Sequence, residues 1–451
     1  MRVGLVSKWS ASGQAVVTRQ IRSALDELGH ETFVLARPGS GPRAAQAAAG
    51  ERDPVWEQPG VTDASTHEVP LAEYEDWART NSLEAILFDE NYQWDEIAAL
   101  RESGIRTIGR FVWEYFAAEH VDPARSAYDT IYSLTRCERD RYAEMGLETP
   151  YVQWGLHPEL FRGRSDTEGD SAAGPEITPG RSSASRPVSP VGGADGDGRT
   201  YVSDAAGETV ATSPSAADQG GAASPAPPQG EARGGGRDSG AAVPEAGPHM
   251  ADGPKARSTY AQVPDVAFYF PGSFLGRRKP IRKVIKAFGK ASGSHLRLLI
   301  NAQVPRNDAA LKEAAAADPR IELMLEDEPE DEHRARFAAC DVCLAPSRWE
   351  GLGLPLFEAT AFGMPIITND KPPMSEMVLD GRSGILVPST QNGTARSGIP
   401  AWDPEVPALA AAIERLGDRA ELERMREGVA ELAAERSWSR TVSDLAALIG
   451  T

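Results

Sequence analysis

The sequence contains few of the residues and patterns that identify secreted or membrane-spanning proteins. Only Cys137, Cys340 and Cys343 occur among its 451 residues, which is too few for a disulfide framework and fits a reducing compartment. No apolar run approaches the roughly 18 to 20 residues that span a bilayer, and no long apolar signal region opens the chain. We therefore expect a cytoplasmic protein without a transmembrane segment.

Positive charge is also scarce in this chain. Lysine and arginine number 47 against 66 acidic residues, so the formal net charge is −19. Because an acidic surface repels phosphate backbones, we expect no nucleic-acid partner. The basic segment 277–283 still leaves peripheral contact with anionic lipid open.

Patterns that bind metal ions are missing as well. The seven histidines form no ligand-like cluster, and Cys340-x-x-Cys343 has no second Cys or His pair beside it. We interpret these two cysteines as small core residues and expect no bound metal.

Large apolar residues are absent from one long internal stretch. No leucine occurs between Leu160 and Leu275, and residues 163–250 contain no Leu, Phe or Trp. Such a segment cannot bury enough apolar surface to offset its ordering entropy, so we predict disorder. A passive tether and a regulatory or partner-binding segment are both compatible with this composition.

The apolar gap divides the chain into three parts. We predict an N-terminal domain over 1–161, a disordered linker over 162–260 and a C-terminal domain over 261–451. In both domains β-rich apolar segments alternate with segments of helical periodicity, which predicts βαβ units and parallel sheets. The predicted fold class is therefore α/β, with two Rossmann-like doubly wound domains facing a cleft. Ligands of such sheets bind beyond the carboxyl ends of the strands, so the cleft is the expected site.

Three local predictions concern the ends of these domains. The segment PYVQW, residues 150–154, is typical of a strand. In the C-terminal domain, Asp403 is the expected N-cap of the helix that follows, with Pro404 in its first turn. A closing helix that carries Trp438 is expected to pack back on the N-terminal domain.

The most informative run is CDVCLAPSRWEGLGLPLFEATAFGMPIITND, which predicts strand, loop, helix and strand. Its loop, residues 347–354, opens directly into a helix and exposes backbone N–H groups that suit phosphate or polyhydroxyl ligands. Glu350 lies in the loop and Glu358 in the helix. Carboxylates in these places accept hydrogen bonds from sugar hydroxyls or from a ribose diol. Taken alone, the two glutamates are also compatible with ordinary surface charges.

The string PSRWEGLGLPLFEATAFGMPII resembles the donor-site signature of retaining glycosyltransferases of family 4, which belong to glycosyl transferases group 1 and have the GT-B fold. The residues that match this signature are Pro346, Ser347, Glu350, Gly351, Pro355, Glu358, Ala359, Gly363 and Pro365. The segments SEMVLDGRSGILVP, SWSR, SGQAVVTRQIRSALDELGHETFVL and VQWGLHPELF also resemble family segments. The similarity thus extends over most of both predicted domains.

This resemblance implies roles for several residues of the loop and its surroundings. Glu350 would contact the transferred sugar and Glu358 the nucleotide ribose, while Gly13 would lie near the donor diphosphate. Four loop residues would turn their backbone N–H groups toward the sugar and diphosphate: Gly351, Leu352, Gly353 and Leu354.

Two departures from the family pattern concern charged groups. Lys279 matches the family lysine that neutralises the leaving diphosphate, but Ser273 follows Gly272 where the family has an arginine. Arg277 or Arg278 is the expected replacement.

In the N-terminal domain, IGRFVWEYF places Trp113 and Glu114 where many members have a histidine. We interpret Glu114 as a candidate catalytic residue and Arg110 as a weaker candidate. The alternative for Glu114 is an ordinary polar residue at a strand end.

The resemblance implies a metal-independent enzyme that transfers a sugar from a nucleotide sugar, such as a UDP- or GDP-sugar, to an acceptor hydroxyl with retention. The acceptor, whether glycan, lipid-linked sugar or small molecule, is not encoded in these motifs. A non-catalytic GT-B-like protein that binds a glycan or partner is the alternative, and a GT-B phosphorylase or epimerase is a third hypothesis.

Overall fold

The computed structural model describes residues 1–10, 12–39, 54–161, 265–274, 276–303, 309–325, 330–395 and 398–450, with only the backbone of Ser273, Phe274 and Gln303. The predicted linker, 162–260, lies outside the described residues. Its disorder and the domain boundaries therefore stay predictions.

The N-terminal part of the chain forms a six-stranded parallel sheet in the order β3-β2-β1-β4-β5-β6. Its strands are β1 (Arg2–Lys8), β2 (Glu31–Arg37), β3 (Val61–Asp63), β4 (Ala85–Asp89), β5 (Arg106–Arg110) and β6 (Thr130–Ile131). The described helices around it are α1 (Gly13–Glu27), α2 (Leu71–Thr80), α3 (Trp94–Glu102), α4 (Val121–Ala127) and α5 (Arg136–Glu144).

The C-terminal part repeats this topology in a second parallel sheet, with the order β12-β11-β10-β7-β8-β9. Its strands are β7 (Val266–Phe274), β8 (Leu296–Gln303), β9 (Ile321–Met324), β10 (Val342–Leu344), β11 (Ile366–Asn369) and β12 (Gly384–Val387). The described helices here are α6 (Ile281–Phe288), α7 (Ala309–Ala316), α8 (Glu330–Ala338), α9 (Leu354–Ala361), α10 (Val406–Leu416), α11 (Arg419–Glu435) and α12 (Trp438–Ile449).

Three buried apolar clusters hold these layers together. One packs the outer helices on the N-terminal sheet and one packs α6 and α10 on the C-terminal sheet. The third joins both sheets with α12, and it includes Leu5, Tyr269 and Leu445. Strands buried on both faces carry near-continuous apolar sequence, which is why the sequence pattern predicts parallel sheets correctly. The predicted pair of doubly wound α/β sheets is confirmed.

Two local predictions are wrong. In the segment 150–154 only Tyr151 forms a β-bridge, with Ser133. Asp403 is not a helix cap, because it lies in a β-hairpin of β13 (Ser389–Thr394) and β14 (Pro400–Pro404) that periodicity does not predict. The following helix α10 begins at Val406 after Glu405.

The segment around Gly155 contacts the closing helix rather than a strand. Gly155 N–H donates to Thr441 Oγ1 at 2.8 Å, and the rings of Trp154 and Trp438 meet edge to face with centroids 5.3 Å apart. A Cβ on Gly155 would lie 2.5 Å from the carbonyl oxygen of Ser437, so only glycine permits this approach. Among the described residues, the helices are too short or too polar to cross a membrane.

Candidate active site

The loop between β10 and α9 carries the residues that the sequence motif singles out. It leaves the carboxyl end of buried β10 and turns into α9 at Gly353, whose φ is +81°. This left-handed conformation favours glycine, because a Cβ would crowd the backbone there. Pro355 follows in the first turn of α9, where no backbone N–H is needed. Local sequence therefore determines where the loop ends and the helix begins.

Glu350 lies at the centre of this loop and is 5% exposed. Its Oε1 lies 2.7 Å from Lys279 Nζ, and its Oε2 lies 3.0 Å from Arg278 Nη1. Lys279 Nζ also donates to Ser347 Oγ at 2.9 Å. One carboxylate thus faces two cations.

The segment after β7 supplies both cations. Lys279 is 4% exposed, and Arg278 extends into the same site. Arg277, the other replacement considered for the missing family arginine, is exposed, and its carbonyl accepts from Arg348. Ser273 lies near the end of β7, and nothing of its side chain is described. Of the two arginines, Arg278 is the one that contacts Glu350.

Charge balance within this group shifts the pKa values of its members. Burial opposes ionisation of Glu350, but Arg278 and Lys279 outweigh it and lower the pKa of Glu350 to about 2. Burial lowers the pKa of Lys279 despite the attraction of Glu350. When all three groups are ionised, the cluster carries one surplus positive charge, which an anionic ligand would neutralise.

Residues after β5 of the N-terminal sheet complete the site. Trp113 Nε1 donates to the Glu350 carbonyl oxygen at 2.8 Å. A Cβ on Gly351 would lie 2.8 Å from Val112 Cγ1 and 3.6 Å from Glu114 Oε1, so the two chain segments are in close contact. Both halves of the chain therefore contribute to this site.

Glu114 lies beside this cluster in an unusual environment. It is 8% exposed, and its Oε2 has no hydrogen-bond partner among the described residues. Burial raises the pKa of Glu114 to about 7, although Arg278 opposes the shift. A buried polar atom without a partner is costly, so this carboxyl group is suited to a ligand.

Two helix N-termini approach each other next to Glu350. Gly13 begins α1, where Ser12 Oγ accepts from Ala15 N–H at 3.3 Å. A Cβ on Gly13 would lie 3.7 Å from Leu354 Cδ1, at the first residue of α9. Unpaired N–H groups and the dipoles of both helices favour an anion in this place. Leu352, between Gly351 and Gly353, is buried.

Glu358 lies on α9 and is half-buried. Burial raises the pKa of Glu358 to about 7, while Arg334 opposes this shift and Glu159 adds to it. Glu159 belongs to the 3₁₀ turn Pro158–Phe161 and pairs with Arg19 of α1 at 3.2 Å. Glu358 therefore lies among charged groups that the sequence motif did not identify.

Arg110 and two cysteines are the remaining residues that the sequence singles out. Arg110 forms a buried ion pair with Asp89 at 2.5 Å, which gives it a structural partner within its own domain. Cys343 is buried and Cys340 is half-buried, and burial raises the pKa of both thiols.

Sequence reasoning also missed contributors to the site. The hydrogen bond from Trp113 joins residues 237 positions apart, which no local pattern reveals. Asp403 pairs with Arg348 of the loop at 2.6 Å. Asn392 and Gly393 lie within β13, where the pairing with β14 shifts register between Gln391 and Thr394, and Gly393 has a φ of +84°.

Residues 265–417 match the model of the family glycosyl transferases group 1. The chain is 29% identical over 187 residues to D-inositol 3-phosphate glycosyltransferase of Nocardia farcinica, covering 38% of each protein. It is 33% identical over 110 residues to alpha-D-kanosaminyltransferase of Streptomyces kanamyceticus, covering 24% of this chain and 25% of the relative. Each of these matches spans well under half of the curated relative.

Comparison with solved structures concerns the whole fold. Sucrose-phosphate synthase from Thermosynechococcus elongatus is similar with a TM-score of 0.57 and 14% identity, covering 100% of this chain and 98% of the other. Anabaena Alr3699/HepE, solved in complex with UDP and glucose, has a TM-score of 0.58 and 10% identity, covering 100% and 99%. Together with the two sheets, these neighbours confirm the predicted GT-B fold.

Proposed function

Residues 265–417 match the family glycosyl transferases group 1, and from this match we propose that the chain transfers a sugar from a nucleotide sugar to an acceptor hydroxyl. We further propose that the anomeric configuration is retained and that no bound metal is required. The donor class would be a UDP- or GDP-sugar, and a hexosyl group is the expected cargo.

The observation that carries this proposal is the cation pair on Glu350. Arg278 and Lys279 bring two positive charges to one carboxylate, beside the N-termini of α1 and α9. A nucleoside diphosphate leaving group needs such neutralisation as negative charge develops on it. Anabaena Alr3699/HepE, a neighbour of the same fold, binds UDP, which supports a similar ligand here.

In the proposed reaction, the bond from the sugar anomeric carbon to the diphosphate oxygen breaks and a bond to the acceptor oxygen forms on the same face. The proton of the acceptor hydroxyl passes to the departing phosphate oxygen. Lys279 and Arg278 stabilise the diphosphate, Glu350 orients the sugar, and the backbone N–H groups of residues 351–354 contact it. Glu358 accepts from the ribose hydroxyls, and Glu114 faces the sugar from the N-terminal side.

Independence from metal is supported by the groups on the chain itself. Lys279 and Arg278 supply the positive charge that a divalent cation supplies in many phosphoryl sites.

A donor panel tests the proposal directly. Full-length protein is titrated with UDP-, GDP- and ADP-sugars by calorimetry, and release of nucleoside diphosphate is followed with and without EDTA. We expect one donor to bind and turn over, with Glu350→Gln reducing turnover at least 100-fold, as for loss of one transition-state contact. The anomeric configuration of the product, read by NMR, tests retention.

Two other results would favour one of the alternative functions. Binding of a nucleotide sugar without turnover, in the presence of sugar and lipid-linked acceptors, would favour the non-catalytic binding protein. Two departures from the family pattern favour this alternative, namely Ser273 in place of the arginine and the missing histidine near Glu114. Release of sugar phosphate that depends on inorganic phosphate would instead identify a phosphorylase.

A further inference from the structure

The hairpin β13–β14 is separate from both large sheets and lies beside the candidate site. Its strands pair antiparallel between β12 and α10. Asn369, at the end of β11, donates through Nδ2 to the Trp402 carbonyl at 2.9 Å and to the Ser347 carbonyl at 2.8 Å. One amide therefore joins the hairpin to the loop that carries Glu350.

The base of the hairpin holds Arg348. Asp403 Oδ1 lies 2.6 Å from Arg348 Nε, Trp402 N–H donates to the Arg348 carbonyl at 2.9 Å, and Arg348 Nη2 donates to the Asn392 carbonyl. Asp403 is 4% exposed and pairs also with Lys283 Nζ at 3.0 Å. Asp403 Oδ2 also accepts from Asn392 Nδ2 at 2.6 Å. This buried carboxylate, which would be costly to leave unpaired, thus pairs with side chains of the loop, of α6 and of the hairpin.

The other end of the hairpin reaches the N-terminal domain. Ile399 is 1% exposed and belongs to the same buried apolar cluster as Trp113 and Phe116. Trp349 and Ala395 pack against this cluster as well. The hairpin thus connects the donor-side loop with the core of the opposite domain.

Three consecutive loop residues are consequently held by different parts of the molecule. Arg348 is held by the base of the hairpin and Trp349 by the N-terminal cluster. Glu350 is held by Lys279 through its carboxylate and by Trp113 through its carbonyl. A shift of the hairpin would move Arg348 and Trp349, which directly precede Glu350 in the chain.

We propose that this hairpin is a positioning element for sugar transfer, in which Asp403 fixes Arg348 and Ile399 fastens the loop to the N-terminal domain. The inference rests on the proposed function, since it concerns the same site. Displacing reacting groups by about 1 Å costs about 100-fold in rate, so placement of Glu350 is a sensitive quantity. Asp403 and Ile399 act through Arg348 and Trp349 and are positioning residues.

The first experiment separates turnover from donor binding. Asp403→Asn keeps the shape of the side chain and removes its charge. We expect kcat to fall about 10- to 100-fold, with the donor KM changed less than about threefold because Lys279 still meets the diphosphate. Arg348→Gln is expected to give a similar loss, and the double variant less than the sum of the two single losses, because the two side chains share one contact.

A matched control uses a charge pair far from the site. Glu431→Gln removes the exposed partner of Arg382 and is expected to leave kcat and KM unchanged. Ile399→Ala tests the tip of the hairpin by the same kcat and KM measurements. If Asp403→Asn does not fold, Ile399→Ala and Lys283→Gln test the positioning role in its place.

The outcomes distinguish the two proposals. An unchanged kcat in folded Asp403→Asn and Ile399→Ala, with normal transfer by the wild type, would overturn the positioning role and leave the proposed function intact. A fall in thermal stability with unchanged kcat would also overturn it, because that result indicates a purely structural hairpin. Absence of turnover by the wild type with every donor would overturn both proposals.

Discussion

The two sheets share one strand order, but their carboxyl edges carry opposite electrostatics. At the C-terminal edge, one carboxylate faces two cations, and the pKa of Glu350 falls to about 2. At the N-terminal edge, Arg110 is already paired with Asp89. Burial raises the pKa of Glu90 to about 8 and that of Glu138 to about 7, although Arg110 opposes both shifts.

The shared strand order gives each sheet a carboxyl edge where a ligand could bind, and the balance of buried charges differs between these two edges. The edge with surplus positive charge suits an anionic diphosphate. The edge whose glutamates are readily protonated suits neutral hydroxyl groups, which both accept and donate hydrogen bonds. The contact of Trp113 with Glu350 brings the two environments together.

Removing a cation from the C-terminal edge is expected to have the largest effect. Lys279→Met leaves Glu350 with Arg278 alone and abolishes the surplus positive charge. We expect turnover of the donor to fall about 100- to 1,000-fold, as for loss of one electrostatic contact in the transition state. Lys286→Met, at an exposed position on α6, is the control. Equal turnover in both variants would show that the positive charge of Lys279 does not stabilise the leaving group.

Removing the cation of the N-terminal edge should act on stability instead. Arg110→Met leaves the buried Asp89 carboxylate without its partner, so the free energy of unfolding should fall by about 3 to 5 kcal/mol. Urea unfolding measures this change. Arg101→Met, which breaks the more exposed pair with Asp129, should cost far less. Similar losses of stability in the two variants would show that the buried Arg110 pair stabilises the fold no more than the exposed Arg101 pair.

The pH dependence of stability should have opposite signs at the two edges. The pKa of Glu90 is raised in the folded state. Its contribution to the free energy of unfolding is therefore present below the unfolded pKa of about 4.3 and is lost as pH rises toward about 8. Glu350 has a lowered pKa, so its contribution is present above about 4.3 and is lost as pH falls toward about 2.

Unfolding curves from pH 5 to 9 test this sign for the N-terminal edge. Glu90→Gln should flatten the decline of stability in that range. Glu350→Gln should change the slope of stability against pH only below about pH 4.3. A decline of the same steepness in Glu90→Gln and wild type would show that Glu90 ionises normally.

The smallest effect is expected away from both edges. Glu431→Gln breaks an exposed pair with Arg382 and should change the free energy of unfolding by less than about 0.5 kcal/mol. Chemical unfolding at low and high salt measures it. A loss comparable to that of Arg110→Met would mean that burial does not distinguish the two pairs.

Much of this molecule could be predicted from sequence, because the signals are local. The apolar runs of β1 and β7 and the amphipathic spacing of α6 predict the sheets and helices that are observed. The hairpin was missed because its polar strand Ser389–Thr394 is mostly exposed and carries no alternating pattern.

Local sequence sets the fold class and the place of the loop that carries Glu350, since strand periodicity and a glycine-rich turn act over a few residues. Packing of the two sheets brings Arg278 rather than Arg277 to Glu350, the Trp113 ring to the Glu350 carbonyl, and Asp403 to Arg348. These contacts join residues far apart in the chain, such as the 72 positions between Arg278 and Glu350. Their energies depend on burial and distance, which exist only once the two sheets have packed together.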